Sequence, residues 1–235
     1  MNTLEQMKLV ERFMKVAGQK VNYMPHFQST QIANFRAALI NEEIYGKKEL
    51  VESIDADNLN GILDGLCDIL YVVYGAIATY GIEMKEYEIF ARRPGSTGRL
   101  MMKHEAHALV RSIGDSYQQF IRGIENGDMI TISRGLHGII LEVNRIAQAS
   151  NFDLHGAFVE VHNANMSKFC SSEEEAVNDI EIRIDEKSDK SDEYVGARVD
   201  STEVDGTTYF IIKRAVDNKI LKGTGFYEAD LSKYH

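Results

Sequence analysis

The sequence predicts an all-α protein, an antiparallel helical bundle with a small β-hairpin appended near its C-terminal end. Three observations predict it. Proline, the residue that breaks helices, occurs only twice, at Pro25 and Pro94. Apolar residues recur at three- and four-residue spacing over long uninterrupted runs, the period of a helix with one buried face. Strand-like spacing around a turn dipeptide is found only late, at Val204 to Lys213 around Asp205-Gly206.

The elements follow in order. Leu4, Met7, Val10, Phe13, Met14 and Ala17 place an amphipathic helix over residues 1–20. Val21 to Ser29 is a loop containing Pro25. Gln31 to Ser53 is a second helix, with Ala33, Phe35, Ala37, Leu39 and Ile40 as apolar positions. Ser53 to Asn58 supplies a connector of capping residues. Leu59 to Tyr80 is a third helix, almost wholly apolar, closed by Gly81. The run Arg92-Arg-Pro-Gly-Ser-Thr-Gly98 is a break. Helices follow over Leu100–Gly123, Ile130–Ala149 and Leu154–Phe169. The expected organisation is a helical domain over 1–170, an acidic linker over 171–194, and a β-rich tail over 195–235.

Charge narrows the classes of function. The chain carries a formal net charge of -10, whereas nucleic-acid binders draw most of their affinity from a basic face. Residues 171–194 hold ten acidic and three basic groups, seven of those ten net negative charges. A run of that kind is ordinarily solvated and flexible, and the helical body beside it is near neutral. The expectation is no nucleic-acid partner. Cys67 and Cys170 form no CxxC pair, so zinc or redox chemistry has no support. His104 and His107 lack the spacing of a zinc protease helix and are expected to be surface or core histidines. The longest apolar stretch, Gly61 to Ile82, is long enough to span a bilayer. Two aspartates interrupt it and no basic flank follows, so it is expected to be a buried core helix rather than a membrane contact. With no signal-peptide pattern at the start, the expected location is the cytoplasm.

Residues 38–84 align without gaps to 108–154, at an offset of 70, with eight identities: Ala38, Leu39, Ile54, Ile62, Gly65, Leu66, Ile69 and Val73 recur. Two readings stand: shared apolar periodicity, or a tandem duplication with one working copy. Glu42, Glu43, Asp64 and Asp68 correspond to Ser112, Ile113, Arg134 and Gly138. The apolar frame persists while the acidic groups do not.

Those carboxylates carry the candidate chemistry. Asp64 and Asp68 lie four residues apart, on one face of an apolar helix. Glu42 and Glu43 lie on the preceding helix with Arg36, and a short connector makes the two helices antiparallel neighbours. Four carboxylates converging from two helices suit a hard cation, Mg2+ or Mn2+. A buried ion pair of Asp64 or Asp68 with Arg36 or a lysine accounts for part of the same pattern, and Glu42 with Glu43 alone is also an ordinary solvated face.

Several segments resemble the MazG-like and phosphoribosyl-ATP pyrophosphohydrolase-like superfamily. They are Phe35-Arg-Ala-Ala-Leu-Ile-Asn-Glu-Glu43, Leu63-Asp-Gly-Leu-Cys-Asp-Ile-Leu-Tyr-Val-Val-Tyr-Gly75, Ala157 to Lys168, and Asp217 to Gly223 with Tyr227 and Ala229-Asp-Leu231. The resemblance implies an all-α pyrophosphohydrolase fold that forms homodimers or higher assemblies, and Mg2+-dependent hydrolysis of a nucleoside triphosphate to monophosphate and pyrophosphate. It implies Glu42, Glu43 and Asp68 as metal ligands, with Asp64 a ligand or a partner of one. Glu42 or Glu43, whichever is not fully engaged with the metal, would act as general base, with Glu42 as base and Glu43 as ligand the preferred division. Arg36, Asn165 and Lys168 would contact substrate, and Lys222 and Tyr227 would close over it. Two positions depart from the family pattern: Gly46 stands where a third Glu is usual, and Gly65 where an acidic residue is frequent. The alternatives are a degenerate member that binds nucleotide without cleaving it, and a helical interaction protein using 171–194 as a tether.

Overall fold

The structure is a computed structural model and describes residues 2–46, 49–86, 96–186, 188 and 190–235. The break expected at Arg92 to Gly98, with Pro94, lies mostly outside the described residues. The helices are α1 (Thr3–Val16), α2 (Thr30–Asn41), α3 (Glu49–Asp55), α4 (Leu59–Tyr80), α5 (Lys103–Asn126), α6 (Met129–Ala149), α7 (Leu154–Met166) and α8 (Glu173–Asp185). A π-helical turn, Glu42–Gly46, follows α2 directly. Strands β1 (Arg198–Val204) and β2 (Thr207–Lys213) pair antiparallel, from Arg198 opposite Lys213 to Val204 opposite Thr207. The fold is all-α with a small hairpin appended, as the periodicity predicts.

The chain divides into two compact units, one of residues 1–11, 21–161 and 230–235, the other of 12–20 and 162–229. The core of the first is built on α4. Leu63, Leu66, Ile69, Leu70, Val73 and Ile77 are completely buried, with Ile113 and Phe120 from α5 and Leu136, Ile140 and Val143 from α6. Each fully buried side chain of this size contributes about 1.5–3 kcal/mol. Among the described residues α4 alone is long and apolar enough to cross a membrane, and most of it is buried in this unit. Phe158 packs against Tyr71 and Tyr74, ring centres 5.7 and 5.8 Å away, and the Tyr74 hydroxyl donates to Gln6 Oε1 at 2.8 Å.

Turn chemistry sets the helix ends. Asn58 caps α4 by accepting from the Gly61 N–H, and Gly81, at φ 64°, closes it in the left-handed region. The loop ahead of α2 takes up the last carbonyls of α4: Asn22 N–H donates to Ala78 O and His26 N–H to Tyr80 O, both at 2.9 Å. Asp128 caps α6, accepting from Ile130 N–H, and Gly127 (φ 61°) closes α5.

Two sequence expectations change. The single helix over 31–53 is interrupted, because the π-turn at 42–46 widens the backbone where α2 ends and α3 starts afresh at Glu49. The acidic stretch 171–194, expected as a solvated linker, contains α8 and a 3-10 turn over Ser191–Tyr194. Ser172 caps α8, three glutamates occupy its first turn, where the helix dipole favours negative charge, and Ala176 and Asp179 are buried. Ala176 joins Cys170, Tyr194, Ile212 and Leu221 in the core of the second unit. The hairpin turn is as predicted, with Asp205 at φ 53° and Gly206 at φ 75°.

Candidate active site

The acidic set belongs to the first unit. Glu42 and Glu43 open the π-turn, Glu42 exposed and Glu43 half-buried. π-Helical turns are uncommon and concentrate at functional sites. On α4, Asp64 is exposed and Asp68 half-buried, with the fully buried Cys67 beside them. Burial pushes the Cys67 thiol well up, and the charges of Asp68 and then Asp64 push it further, so Cys67 is no nucleophile.

Glycines fix how the helices meet. A side chain at Gly61 would strike Ser53, and one at Gly65 would lie 3.3 Å from Leu50 Cβ. α3 therefore runs antiparallel to α4, with residue 53 beside 61 and residue 50 beside 65. Passing from Asp64 to Asp68 along α4 runs toward the π-turn, and α2, the π-turn and α3 all pack on α4. Asp68 is thus nearer the level of Glu42 and Glu43, and Asp64 lies about 6 Å further along the axis. Gly46 is exposed within the π-turn, and a Cβ there would meet only the stem of Glu42, at 3.3 Å.

Arg36 is 6% exposed on α2, and burial lowers its guanidinium to about 10, still cationic at neutral pH. Its guanidinium carbon lies 5.5 Å from the centre of the exposed Phe35 ring. His107 pairs with Asp55 at 2.9 Å and His104 is exposed, in keeping with ordinary surface histidines.

The remaining expected site residues belong to the second unit, where they gather around an aromatic residue that sequence reasoning did not single out. The Lys168 ammonium donates to Asn165 Oδ1 at 2.5 Å. Lys168 and Lys222 both face the Phe226 ring, at 5.9 and 3.9 Å from its centre. Lys222 also pairs with Glu228 at 2.9 Å, and Tyr227 N–H donates to Ser167 Oγ at 3.3 Å. Between two residues already of interest, Phe226 was visible in Gly225-Phe-Tyr227, but a lone aromatic carries no periodic signal.

Cys170, Glu175 and Asp179 lie close enough together to be weighed as a metal site in this unit. Their hydrogen bonds explain them otherwise. The buried Asp179 accepts from Thr224 N–H at 2.9 Å and from Thr224 Oγ1 at 2.5 Å, and Glu175 accepts from Ser171 N–H and Oγ. The pair of acids ties α8 to its neighbouring turns.

No solved structure matches the chain. An uncharacterized protein of Acanthamoeba polyphaga mimivirus is 32% identical over 167 residues, covering 66% of this chain and 65% of the relative's length. The family model for phosphoribosyl-ATP pyrophosphohydrolase matches residues 10–93, the segment that holds Arg36, Glu42, Glu43, Asp64 and Asp68. Residues 10–93 thus match the phosphoribosyl-ATP pyrophosphohydrolase family, which belongs to the MazG-like all-α nucleoside triphosphate pyrophosphohydrolases.

Proposed function

We propose that the chain is a divalent-cation-dependent nucleotide pyrophosphohydrolase that cleaves a nucleoside or deoxynucleoside triphosphate to its monophosphate and pyrophosphate. The observation that carries the reading is the carboxylate pair Glu42–Glu43 on a π-turn packed against the helix that bears Asp64 and Asp68, inside the segment matching the pyrophosphohydrolase family.

The donor set fits a hard cation. All four groups are carboxylates, partly or fully accessible, on two antiparallel paths, with no imidazole or thiolate facing solvent among them. Glu43, Asp64 and Asp68 would hold Mg2+ or Mn2+, with Glu42 able to join them. When bound, the cation supplies neutralisation of the triphosphate charge and a more acidic attacking water. Glu42, the more exposed of the pair, takes the proton as the water oxygen attacks the α-phosphorus. The bond from that phosphorus to the bridging oxygen breaks, and pyrophosphate leaves with the bonding electrons. Arg36 supplies a fixed positive charge on the same helix path. The family resemblance assigns Asn165 and Lys168, in the second unit, to phosphate or sugar contact, and Lys222 and Tyr227 to closure over a nucleotide.

Gly46 favours a second reading, a member that binds nucleotide without cleaving it, because a usual carboxylate is missing from the turn. Pyrophosphate release from a panel of ribo- and deoxyribonucleoside triphosphates, with Mg2+ or Mn2+, separates the two. Release lost in Asp68→Asn establishes the hydrolase, whereas nucleotide binding with no release from any substrate establishes the binder.

A further inference from the structure

The turns and the glycine crossing of the helix pair α5–α6 repeat those of the first pair at the offset of 70. Asn58 N–H donates to Ser53 O at 2.8 Å, and Asp128 N–H to Gly123 O at 2.9 Å. Ile62 N–H donates to Asn58 O, and Ile132 N–H to Asp128 O, both at 2.9 Å. Ile82 N–H donates to Ile77 O at 3.1 Å, and Phe152 N–H to Ala147 O at 2.9 Å. The left-handed residues also correspond, Asp57 (54°) with Gly127 (61°) and Gly81 (64°) with Asn151 (55°). Gly65 meets Leu50 as Gly135 meets Phe120. The burial phase continues through the preceding helix, where Arg36, Ile40 and Ile44 match Ala106, Val110 and Gly114. Shared apolar periodicity does not fix hydrogen-bonded turns at one constant offset.

The two copies differ in the path that leads to this frame. In the second copy α5 is a single helix of 24 residues, whereas the first is interrupted by the π-turn. α5 packs beside that interruption. Gly114 offers a notch on which the Tyr45 phenol rests, where any Cβ would collide with it. Tyr117 stands edge-on to Tyr45, 6.1 Å between ring centres, and its hydroxyl donates to the Ala37 carbonyl of α2 at 3.1 Å. One helix thus grips the π-turn from both sides, at Ala37 before Glu42 and at Tyr45 after Glu43. π-Turns are rare inside helices, and a sparsely populated backbone arrangement persists where its surroundings over-determine it.

We propose that α5–α6 is a copy of the acid-bearing helix pair that has lost its own carboxylates, and that its Gly114 and Tyr117 are positioning residues holding the π-turn so that Glu42 and Glu43 face the cation. The role assigned to the cation rests on the proposed function; the grip on the π-turn does not.

The test uses the full chain with Gly114→Ala and Tyr117→Phe, and Gln118→Ala, an exposed residue of the same helix, as control. Three quantities are measured: Mn2+ affinity by titration, amide exchange of residues 40–46, and the thermal midpoint. Gly114→Ala should speed exchange at 42–46 and weaken Mn2+ binding about 10-fold, the size of a lost supporting contact around a metal site. Its midpoint should stay level or rise, since alanine is the better helix former. Tyr117→Phe should show the same two changes more weakly, and Gln118→Ala neither. Unchanged exchange in both variants overturns the proposal, as does a loss of Mn2+ affinity that merely tracks a falling midpoint. If the unaltered protein binds no Mn2+, the proposed function fails, and exchange alone then decides whether α5 holds the turn.

Discussion

The two helix pairs of the first unit share a frame and divide its uses. Both close their leading helix with a left-handed residue, cap the next helix with an amide or carboxylate side chain, and cross through a glycine, Gly65 on Leu50 or Gly135 on Phe120. Only the first pair carries Glu42, Glu43, Asp64 and Asp68, and only its leading helix is broken by a π-turn. The contrast teaches that turn and crossing residues specify the frame, while a few accessible side chains specify chemistry. The frame survives when those side chains change.

The largest expected difference between the pairs is in activity. Asp68→Asn should lower metal-dependent pyrophosphate release by about 100-fold or more, a loss of roughly 3 kcal/mol of charge stabilisation, with helical circular dichroism unchanged. Arg134→Ala, at the position answering to Asp64, should leave the rate as it was. An equal loss in both would end the division of labour. The next difference is in stability. A methyl at Gly135 would press on the Phe120 backbone, with its Cα at 2.8 Å, whereas one at Gly65 meets Leu50 Cβ at 3.3 Å. Gly135→Ala should therefore cost about 3 kcal/mol in urea unfolding, and Gly65→Ala less than about 1 kcal/mol. Comparable costs would mean the two crossings are equally close, against this difference in spacing.

A smaller contrast depends on pH. His137 of the second pair answers to Cys67 of the first. Burial lowers His137 below its ordinary 6.5, and its Nδ1 lies 2.8 Å from Ser133 O. The unfolded chain then takes up a proton before the folded one does, so stability falls as pH drops from 6.5 toward the lowered value. His137→Gln should flatten that part of the stability profile; a profile unmoved by the change would remove His137 as its source. The smallest contrast lies in the caps. Asn58→Ala should cost about 1 kcal/mol at any pH. The Asp128 cap, whose carboxyl is held low first by Thr131, should add stability above the usual carboxylate range and lose it as pH falls through the lowered value. Thermal midpoints of Asn58→Ala and Asp128→Ala at neutral and acid pH measure both.

Much of this was legible in the sequence. Leu59–Tyr80 and its Gly81 stop follow from an apolar run bounded by Asn58 and a glycine, and the hairpin follows from Asp205-Gly206. The π-turn was not legible. Apolar spacing passes through Ile40 and Ile44 without a fault, and the contacts of the turn's Tyr45 with Gly114 and Tyr117 come from residues about seventy positions away, beyond the reach of local spacing. Counting charge also misjudged residues 171–194. Ala176 and Asp179 bury one side of α8, and Thr224, forty-five residues away, is what satisfies the aspartate. In the first unit the acidic groups stood out by their spacing on apolar helices, whereas in the second Phe226 gains meaning only when the fold brings Lys168 and Lys222 to its ring.

The constant offset has an evolutionary consequence. The interrupted path and the straight one use the same number of residues between matching contacts, so neither needs an insertion or deletion relative to the other. A gene carrying two such copies can lose or regain a reactive turn through point substitutions alone, with every downstream contact left in register. Such drift is silent to selection on folding and visible only to selection on the reaction.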